Sequence, residues 1–292
     1  MDLSGKIDLH MHTTVSDGTD APEEIIARVR DAGIALFSVT DHDAVKAGRI
    51  ISPLLKEDDP AFLTGAEFSC RDEEGKYHIL GYGYDPDAES IRQIVAYGHS
   101  LRMNKVRARL DFLSERFGFS FPKEELDALF ALDNPGKPHI GNLMVKYGYA
   151  RTKEEAIKEY INQIRFRSEY VRPEDAIRAV LGAGGIPVLA HPVYGDGDQL
   201  ILGEEMDARI RHLMGFGLQG LEGYYSGFTP RMSRDMLAFA EHYGLYVTAG
   251  SDYHGTNKMV ALGDTGLGEP DKWPEGLRRF LCDVRKEGSY EI

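Results

Sequence analysis

The sequence predicts an α/β fold, in which a mainly parallel sheet closes as a barrel and is interrupted by an inserted helical cap. Three observations carry that prediction. Short apolar, β-rich runs recur at residues 7–9, 36–40, 62–64, 77–80, 186–189, 218–221 and 245–248. Most are separated by helical patterning, and strand alternating with helix is the signature of a parallel sheet. Between about residues 98 and 172 the β signal stops and helical periodicity replaces it. Seven candidate strands favour closure over an open sheet, and 292 residues are enough for one large domain carrying such an insertion.

The elements follow in order. A first helix is expected near Asp20-Ala21-Pro22-Glu23, where a capping residue, an early proline and acidic first-turn residues agree. The cap is expected to open with a long helix over residues 101–117, then a second over 122–132. Thr152-Lys153-Glu154-Glu155 reads as a capping box starting a third. Arg172-Pro173-Glu174-Asp175 restarts the barrel with a helix that ends at Gly182-Ala183-Gly184-Gly185, directly before the run 186–189. The barrel is thus expected to comprise residues 1–97 and 173–292, with the substrate-binding cap at 98–172. No repeat, low-complexity tract or flexible linker occurs, so the cap is expected to dock rather than hang from a tether.

Composition bounds the function. Hydrophobic residues at 42% and charged residues at 28% suit a globular chain, and no apolar run approaches the roughly 18 residues of a membrane helix. Residues 1–6 lack the charged start and apolar stretch of a signal peptide, which makes the cytoplasm the expected compartment. Cys70 and Cys282 lie far apart and outside any CxxC spacing, so neither a disulfide framework nor a thiolate zinc site is indicated, and both are expected to be buried thiols. A net charge of −13 argues against a broad basic face for nucleic acid or membrane. Its distribution is uneven. The segment 98–172 holds 14 Lys and Arg against 10 Asp and Glu, leaving 20 against 37 elsewhere, so basic residues concentrate where an anionic substrate could be met.

Several histidines fall just after predicted strands with another ligand type beside them, and in a barrel the strand C-terminal ends share one mouth. His10 and His12 alternate on an extended segment and can face one cation, with Ser16-Asp17-Gly18 close behind. Thr40-Asp41-His42 ends the second run, Gly65-Ala66-Glu67 follows the third, and His78 falls inside the fourth, where a hydrogen-bonded core histidine is the alternative. Ala190-His191-Pro192 and Gly250-Ser251-Asp252-Tyr253-His254 close two later runs. Each signal is weak alone. Mixed imidazole and carboxylate ligation suits Mn, Fe, Zn or Co, and close to nine ligands exceed what one cation accepts, which implies a multinuclear site. Gly81-Tyr82-Gly83 and Gly195-Asp196-Gly197-Asp198 fail as dinucleotide and EF-hand motifs and read as turns, and no GxSxG elbow is present.

These motifs, in this order and from end to end of the barrel, resemble the polymerase and histidinol phosphatase (PHP) family. The resemblance implies a distorted (β/α)7 TIM-like barrel with divalent metals, three in number, manganese first and iron or zinc as alternatives. It implies that His10, His12, Glu67 and Asp252 hold one metal, that Glu67 bridges to a second held by His78 and His191, and that Asp17, His42 and His254 hold the third. Asp41 is then an acceptor that orients a neighbouring ligand. The cap resembles that of the subgroup containing nucleoside 3′,5′-bisphosphate phosphatases and a 5′-to-3′ exoribonuclease, which implies substrate contacts from Arg102, Asn104, Lys105, Lys137, His139 and Arg167. Where a relative has arginine this chain has Lys137, which binds phosphate as a point charge without a bidentate fork. Arg107, Arg109 and Arg116 are expected on a solvated helix face.

The expected activity is a metal-dependent phosphatase acting on a phosphomonoester of a small nucleotide, a nucleoside 3′,5′-bisphosphate or short oligonucleotide end, with a metal-bridging hydroxide as nucleophile. His191, His139 or a metal-bound water would protonate the leaving oxygen. The alternatives are a histidinol phosphate phosphatase and a non-catalytic, metal-stabilised module. A small phosphorylated partner is expected, without membrane or an extended nucleic-acid surface. The oligomeric state is not legible.

Overall fold

The computed structural model describes residues 5–166, 169–195 and 199–286. Strand β1 (Lys6–Asp8), helix α1 (Pro22–Asp31), β2 (Ile34–Phe37), α2 (Lys46–Ile51) and β3 (Ala61–Phe62) form a parallel three-stranded sheet in the order β1-β2-β3. A hairpin of β4 (Gly65–Arg71) and β5 (Lys76–Tyr82) follows. The cap comes next, with α3 (Glu89–Phe117), α4 (Lys123–Phe130), α5 (Lys137–Lys146) and the single turn α6 (Lys153–Glu155). The chain returns through α7 (Pro173–Gly182), β6 (Ile186–Leu189), α8 (Gly203–Met214), β7 (Gly220–Tyr225), α9 (Pro230–Tyr243), β8 (Tyr246–Gly250) and α10 (Glu275–Lys286). Strands β4 to β8 form the second sheet in sequence order. Single bridges join the two sheets on both sides, Met11 with Tyr253 and His42 with Glu67, and Leu9 N–H donates to the Ala249 carbonyl at 2.9 Å. The wall is a distorted barrel.

Two expectations about the sheet are corrected. Among the described residues there are eight strands, and β5 runs antiparallel to both neighbours. The overlooked strand is β4, so Glu67 lies within a strand rather than after one. Its alternation explains the omission: Ala66, Phe68 and Cys70 join the apolar core while Glu67 and Ser69 occupy the other face, so no unbroken apolar run marks it. The first helix is also capped differently. Ala21, not Asp20, precedes its first turn, and the Glu24 carboxylate accepts from the Ala21 N–H at 3.4 Å. Cys70 is buried as expected, but Cys282 is exposed on α10.

The cap is docked by a shared helix and by polar ties. Helix α3 starts well before residue 98, puts Ile91 and Ile94 into the barrel core, and puts Val106 and Leu113 into a separate cap core with Leu129, Ile140 and Met144. Gly98 lies where α3 crosses Asp43, and a Cβ there would sit 3.2 Å from the Asp43 Cβ, so glycine permits the close approach. The helix stops at Gly118, whose φ of 70° gives the left-handed turn that satisfies the last carbonyls. Thr152 caps α6 through its hydroxyl, and α5 is a helix the sequence reading did not separate. Asn134 donates to the His42 carbonyl, while Lys153 reaches Asn257, whose side chain donates to the Asp17 carbonyl at 2.7 Å. The cap is therefore tied to two of the loops that carry the histidine and carboxylate motifs. Among the described residues no helix is long and apolar enough to cross a membrane.

Candidate metal centre

All nine residues expected as ligands meet. Their nitrogen and oxygen atoms form overlapping groups with internal distances within 4.8 Å: His12, Asp17, His42 and His254; His10, His12 and Glu67; His10, His191 and Asp252; His42, Glu67 and His78. Glu67 is central. Its Oε2 lies 3.4 Å from His10 Nε2, 3.2 Å from His12 Nε2 and 3.1 Å from His42 Nδ1, while its Oε1 lies 2.9 Å from His78 Nδ1 and 3.1 Å from His191 Nε2. A carboxylate flanked this way by two sets of imidazoles has the disposition of a bridge. Asp17 Oδ1 faces His254 Nε2 at 3.3 Å and His42 Nε2 at 4.0 Å. His42 thus stands between two groups, whereas the sequence reading placed it with Asp17 and His254 alone. His78, on a strand, faces this cluster and not the apolar core.

What lies behind the histidines decides which nitrogen faces inward. His10 Nδ1 meets Glu222 Oε1 at 2.9 Å, and His254 Nδ1 meets the Asp252 carbonyl at 2.9 Å. Both partners are acceptors, so each Nδ1 carries the proton and each Nε2 offers its lone pair. His12 is held through a relay. Its Nδ1 lies 3.3 Å from Ser16 Oγ, which donates to Asp41 at 2.6 Å, and Asp41 also accepts from the Thr13 N–H at 2.8 Å and hydroxyl at 2.7 Å. Asp41 therefore pins the segment carrying His12 and Asp17. Asp252 is split between roles: Oδ1 faces His10, His12 and His254, while Oδ2 accepts from Tyr225 at 2.9 Å and pairs with Lys258.

The residues fit divalent cations on their own chemistry. His10 Nε2, His12 Nε2 and His42 Nδ1 are buried with no hydrogen-bond partner, although a buried imidazole nitrogen left unpaired is costly. Burial works against protonating His12, yet the neighbouring Asp252, Glu67 and Asp17 carboxylates push its pKa up to about 9. Burial alone would raise Glu67, but His78, His42 and His10 hold it well below the usual carboxylate range. A site that favours positive charge this strongly favours a divalent cation for the same reason. Among the described residues, the non-glycine positions with positive φ are Asp43, His191 and Asp252, all beside this cluster, where local strain is tolerated only because the surroundings over-determine it.

The cap contacts differ from expectation in detail. Arg102 lies well inside α3, is 8% exposed, and binds Asp43 Oδ2 through Nε at 3.1 Å and an Nη at 2.8 Å, with a further bond to Ser69. Lys105 is buried with its Nζ 3.9 Å from the centre of the Tyr170 ring, and burial with the nearby Arg102 lowers its pKa to about 7. Asn104 is exposed on another side of the helix and does not join them. His139 Nδ1 accepts from the Gly136 N–H at 3.0 Å, which puts its proton on Nε2, and burial lowers its pKa. Lys137 is half-buried, and Arg167 lies outside the described residues. Arg107 and Arg116 are exposed as expected, but Arg109 is not solvated: it is 6% exposed and stacks on Phe166 at 5.0 Å.

The sequence reading missed Glu222, Tyr225 and Lys258. Glu222 had a signal, since it directly follows the run 218–221 as the other motifs follow theirs. Lys258 had none. A family model for the PHP domain matches residues 8–265. A 5′-3′ exoribonuclease from Haemophilus influenzae is 26% identical over 264 residues, covering 89% of this chain and 94% of that protein. A 3′,5′-nucleoside bisphosphate phosphatase from Chromobacterium violaceum is 27% identical over 260 residues, covering 85% and 87%. A phosphoribosyl 1,2-cyclic phosphate 1,2-diphosphodiesterase from Eggerthella lenta is 29% identical over 255 residues, covering 85% and 94%. A solved structure from Bifidobacterium adolescentis, assigned as a metal-dependent phosphoesterase, superposes with a TM-score of 0.78 at 28% identity over 95% of this chain and 96% of that one. Together with the buried cluster, these matches make the protein a metal-dependent phosphoric ester hydrolase, and the chain belongs to the PHP domain family.

Proposed function

We propose that this enzyme hydrolyses a phosphomonoester of a small nucleotide, a nucleoside 3′,5′-bisphosphate or the end of a short oligonucleotide, with three divalent cations, manganese first. The observation that supports the nucleotide reading is the basic cap: Lys105 is buried beside Arg102, Arg109 and Lys137, with Asp43 offsetting part of their charge. The nine residues would hold divalent cations, which would supply an activated water and positive charge against the phosphoryl oxygens.

The chain's own residues set the geometry. Glu67 fixes the spacing within the cluster, Glu222 and Asp41 fix the inward nitrogens of His10 and His12, and Tyr225 with Lys258 turns Asp252 so that one oxygen faces the histidines. His139, neutral at pH 7 and protonated on Nε2, serves as a hydrogen-bond donor to a phosphoryl or leaving oxygen. His191, its Nε2 turned to Glu67 and His78, is assigned as a ligand and not as the acid.

Phosphate release by purified, manganese-loaded protein tests the reading. The highest kcat/KM is expected for a nucleoside 3′,5′-bisphosphate, above the matching monophosphate, histidinol phosphate and a ribose 1,2-cyclic phosphate. The similarity to the Eggerthella lenta diphosphodiesterase makes the cyclic diester the most informative competitor. A better rate on it, or on histidinol phosphate, would overturn the substrate and leave the metal centre standing.

A further inference from the structure

We propose that Lys153 and Asn257 couple the docking of the cap to one part of the metal centre, the group formed by Asp17, His42 and His254, so that a cation there and the cap hold each other in place. Neither belongs to the nine ligand residues. Both are positioning residues.

The two residues form a relay whose direction is fixed by its chemistry. Lys153, at the start of α6, donates from Nζ to the Asn257 carbonyl at 2.9 Å and to its Oδ1 at 3.0 Å. An ammonium can only donate, so Oδ1 faces the cap and the amide nitrogen faces the barrel, where it donates to the Asp17 carbonyl at 2.7 Å. The Asn257 N–H donates to the His254 carbonyl at 3.2 Å. One residue thus holds the backbone of two ligand residues whose side chains meet at 3.3 Å. The Lys153 stem lies against α5, where a Cβ on Gly141 would come within 3.1 Å of its Cγ. The exposed Glu154 carboxylate, 3.9 Å from Lys153 Nζ, is too distant and too well solvated to compete.

A second tie from the cap ends on the same group. Asn134, buried in the segment between α4 and α5, donates to the His42 carbonyl and accepts from His99 Nδ1 on α3 at 3.3 Å. The rest of the cluster is held differently: Glu67 and His78 stand on β4 and β5, and Glu222 fixes the His191 N–H. Asp17, His42 and His254 lie in loops beyond strand ends, whose position depends on what ties them down. The Thr256 N–H donates to Thr19 Oγ1 at 2.9 Å and joins two of these loops directly, so losing a cap tie should loosen the group without unfolding it. If the docked cap favours the cation, the cation favours the docked cap by the same factor. The cap carries Lys137 and His139, so the coupling keeps both in register with the metals. This deepens the proposed function and rests on it for the presence of more than one cation.

Stepwise chelator competition for manganese on the full chain, comparing the parent with Lys153→Met, reads the coupling without turnover. One binding step should weaken about tenfold, the scale for a group behind a ligand, while the others move less than about threefold. In an Asp17→Asn background, which removes a charged ligand of that group, Lys153→Met should have no further effect. Lys153→Arg, which keeps donors for both Asn257 oxygens, should restore most of the lost affinity. Lys123→Met, whose partner Asp127 lies on the same helix, is the control and should change nothing. Hydrogen exchange reads the reciprocal half: manganese should slow exchange of the α5 and α6 amides in the parent, and do so less in Lys153→Met. Equal weakening of every step, an unchanged titration, or cap exchange indifferent to metal would each overturn the coupling. If the chain binds a single cation, the multinuclear reading fails while the exchange experiment still decides whether that cation and the cap are coupled.

Discussion

Glu222→Gln is the sharpest test of how the metal centre is held, because the substitution removes one charge and almost no volume. Both carboxylate oxygens are committed: Oε1 to His10 Nδ1 at 2.9 Å and Oε2 to the His191 N–H at 2.6 Å, with Glu222 itself fully buried. Glutamine offers one oxygen and one NH2 to what are now two donors. If the NH2 faces His191, two buried N–H groups oppose each other. If it faces His10, Nδ1 becomes the acceptor, the proton moves to Nε2, and the nitrogen that faces Glu67 and Asp252 loses its lone pair. Either outcome forfeits a charge-assisted hydrogen bond worth about 1.5–3 kcal/mol, or about 10- to 100-fold in metal affinity, the usual scale for a group behind a ligand. Competition against a metal-responsive dye, with circular dichroism to verify the fold, measures it. Parental metal affinity in a folded Glu222→Gln protein would refute the orienting role.

Three further outcomes are expected. Elemental analysis should find two to three equivalents of divalent metal per chain, because the nine ligand residues form several overlapping groups, and one equivalent or fewer under saturating metal would sink the multinuclear reading. Asp41→Asn, which weakens a carboxylate accepting from Thr13 twice and Ser16 once, should lower retention of the metal nearest Asp17 and His254, whereas an unchanged metal titration would free Asp41 from that role. Arg102→Ala should lower the melting temperature by about 10 °C, since stranding the 2%-exposed Asp43 carboxylate costs about 3–5 kcal/mol. An unchanged melting temperature would show that the Arg102–Asp43 pair contributes nothing.

What was legible in the sequence is what depends on local chemistry. A histidine or carboxylate at the end of an apolar run announces itself whatever the rest of the chain does, which is why His10, His42, His191 and Asp252 could be singled out and why the structure brings them together. Strand β4 was hidden because its apolar residues alternate with Glu67 and Ser69, the two that face the mouth and α3. The antiparallel setting of β5 was hidden because strand direction is fixed by the short turn near residues 72–75, not by composition.

The cap arginines show where local reading must stop. Arg102 and Arg109 are seven residues apart on one helix, and nothing in their immediate neighbours distinguishes them. Their environments are set by Asp43 and Phe166, each nearly sixty residues away in sequence, and these divide the pair in the opposite sense from expectation. The arginine expected to meet substrate is neutralised by a buried aspartate, which makes it first a structural tie between α3 and the loop after β2. The arginine expected in solvent is buried instead, stacked on Phe166 with its Nε unpartnered. A charge counts toward ligand binding only after its internal partners are subtracted, and that subtraction needs the fold. Exchanging the two roles has a measurable consequence: Arg102→Lys, which keeps a cation beside Asp43, should recover much of the stability lost in Arg102→Ala. Arg109→Lys, which keeps charge but loses the planar fork stacked on Phe166, should recover little of the stability lost in Arg109→Ala. Full recovery at Arg109 with none at Arg102 would restore the original assignment.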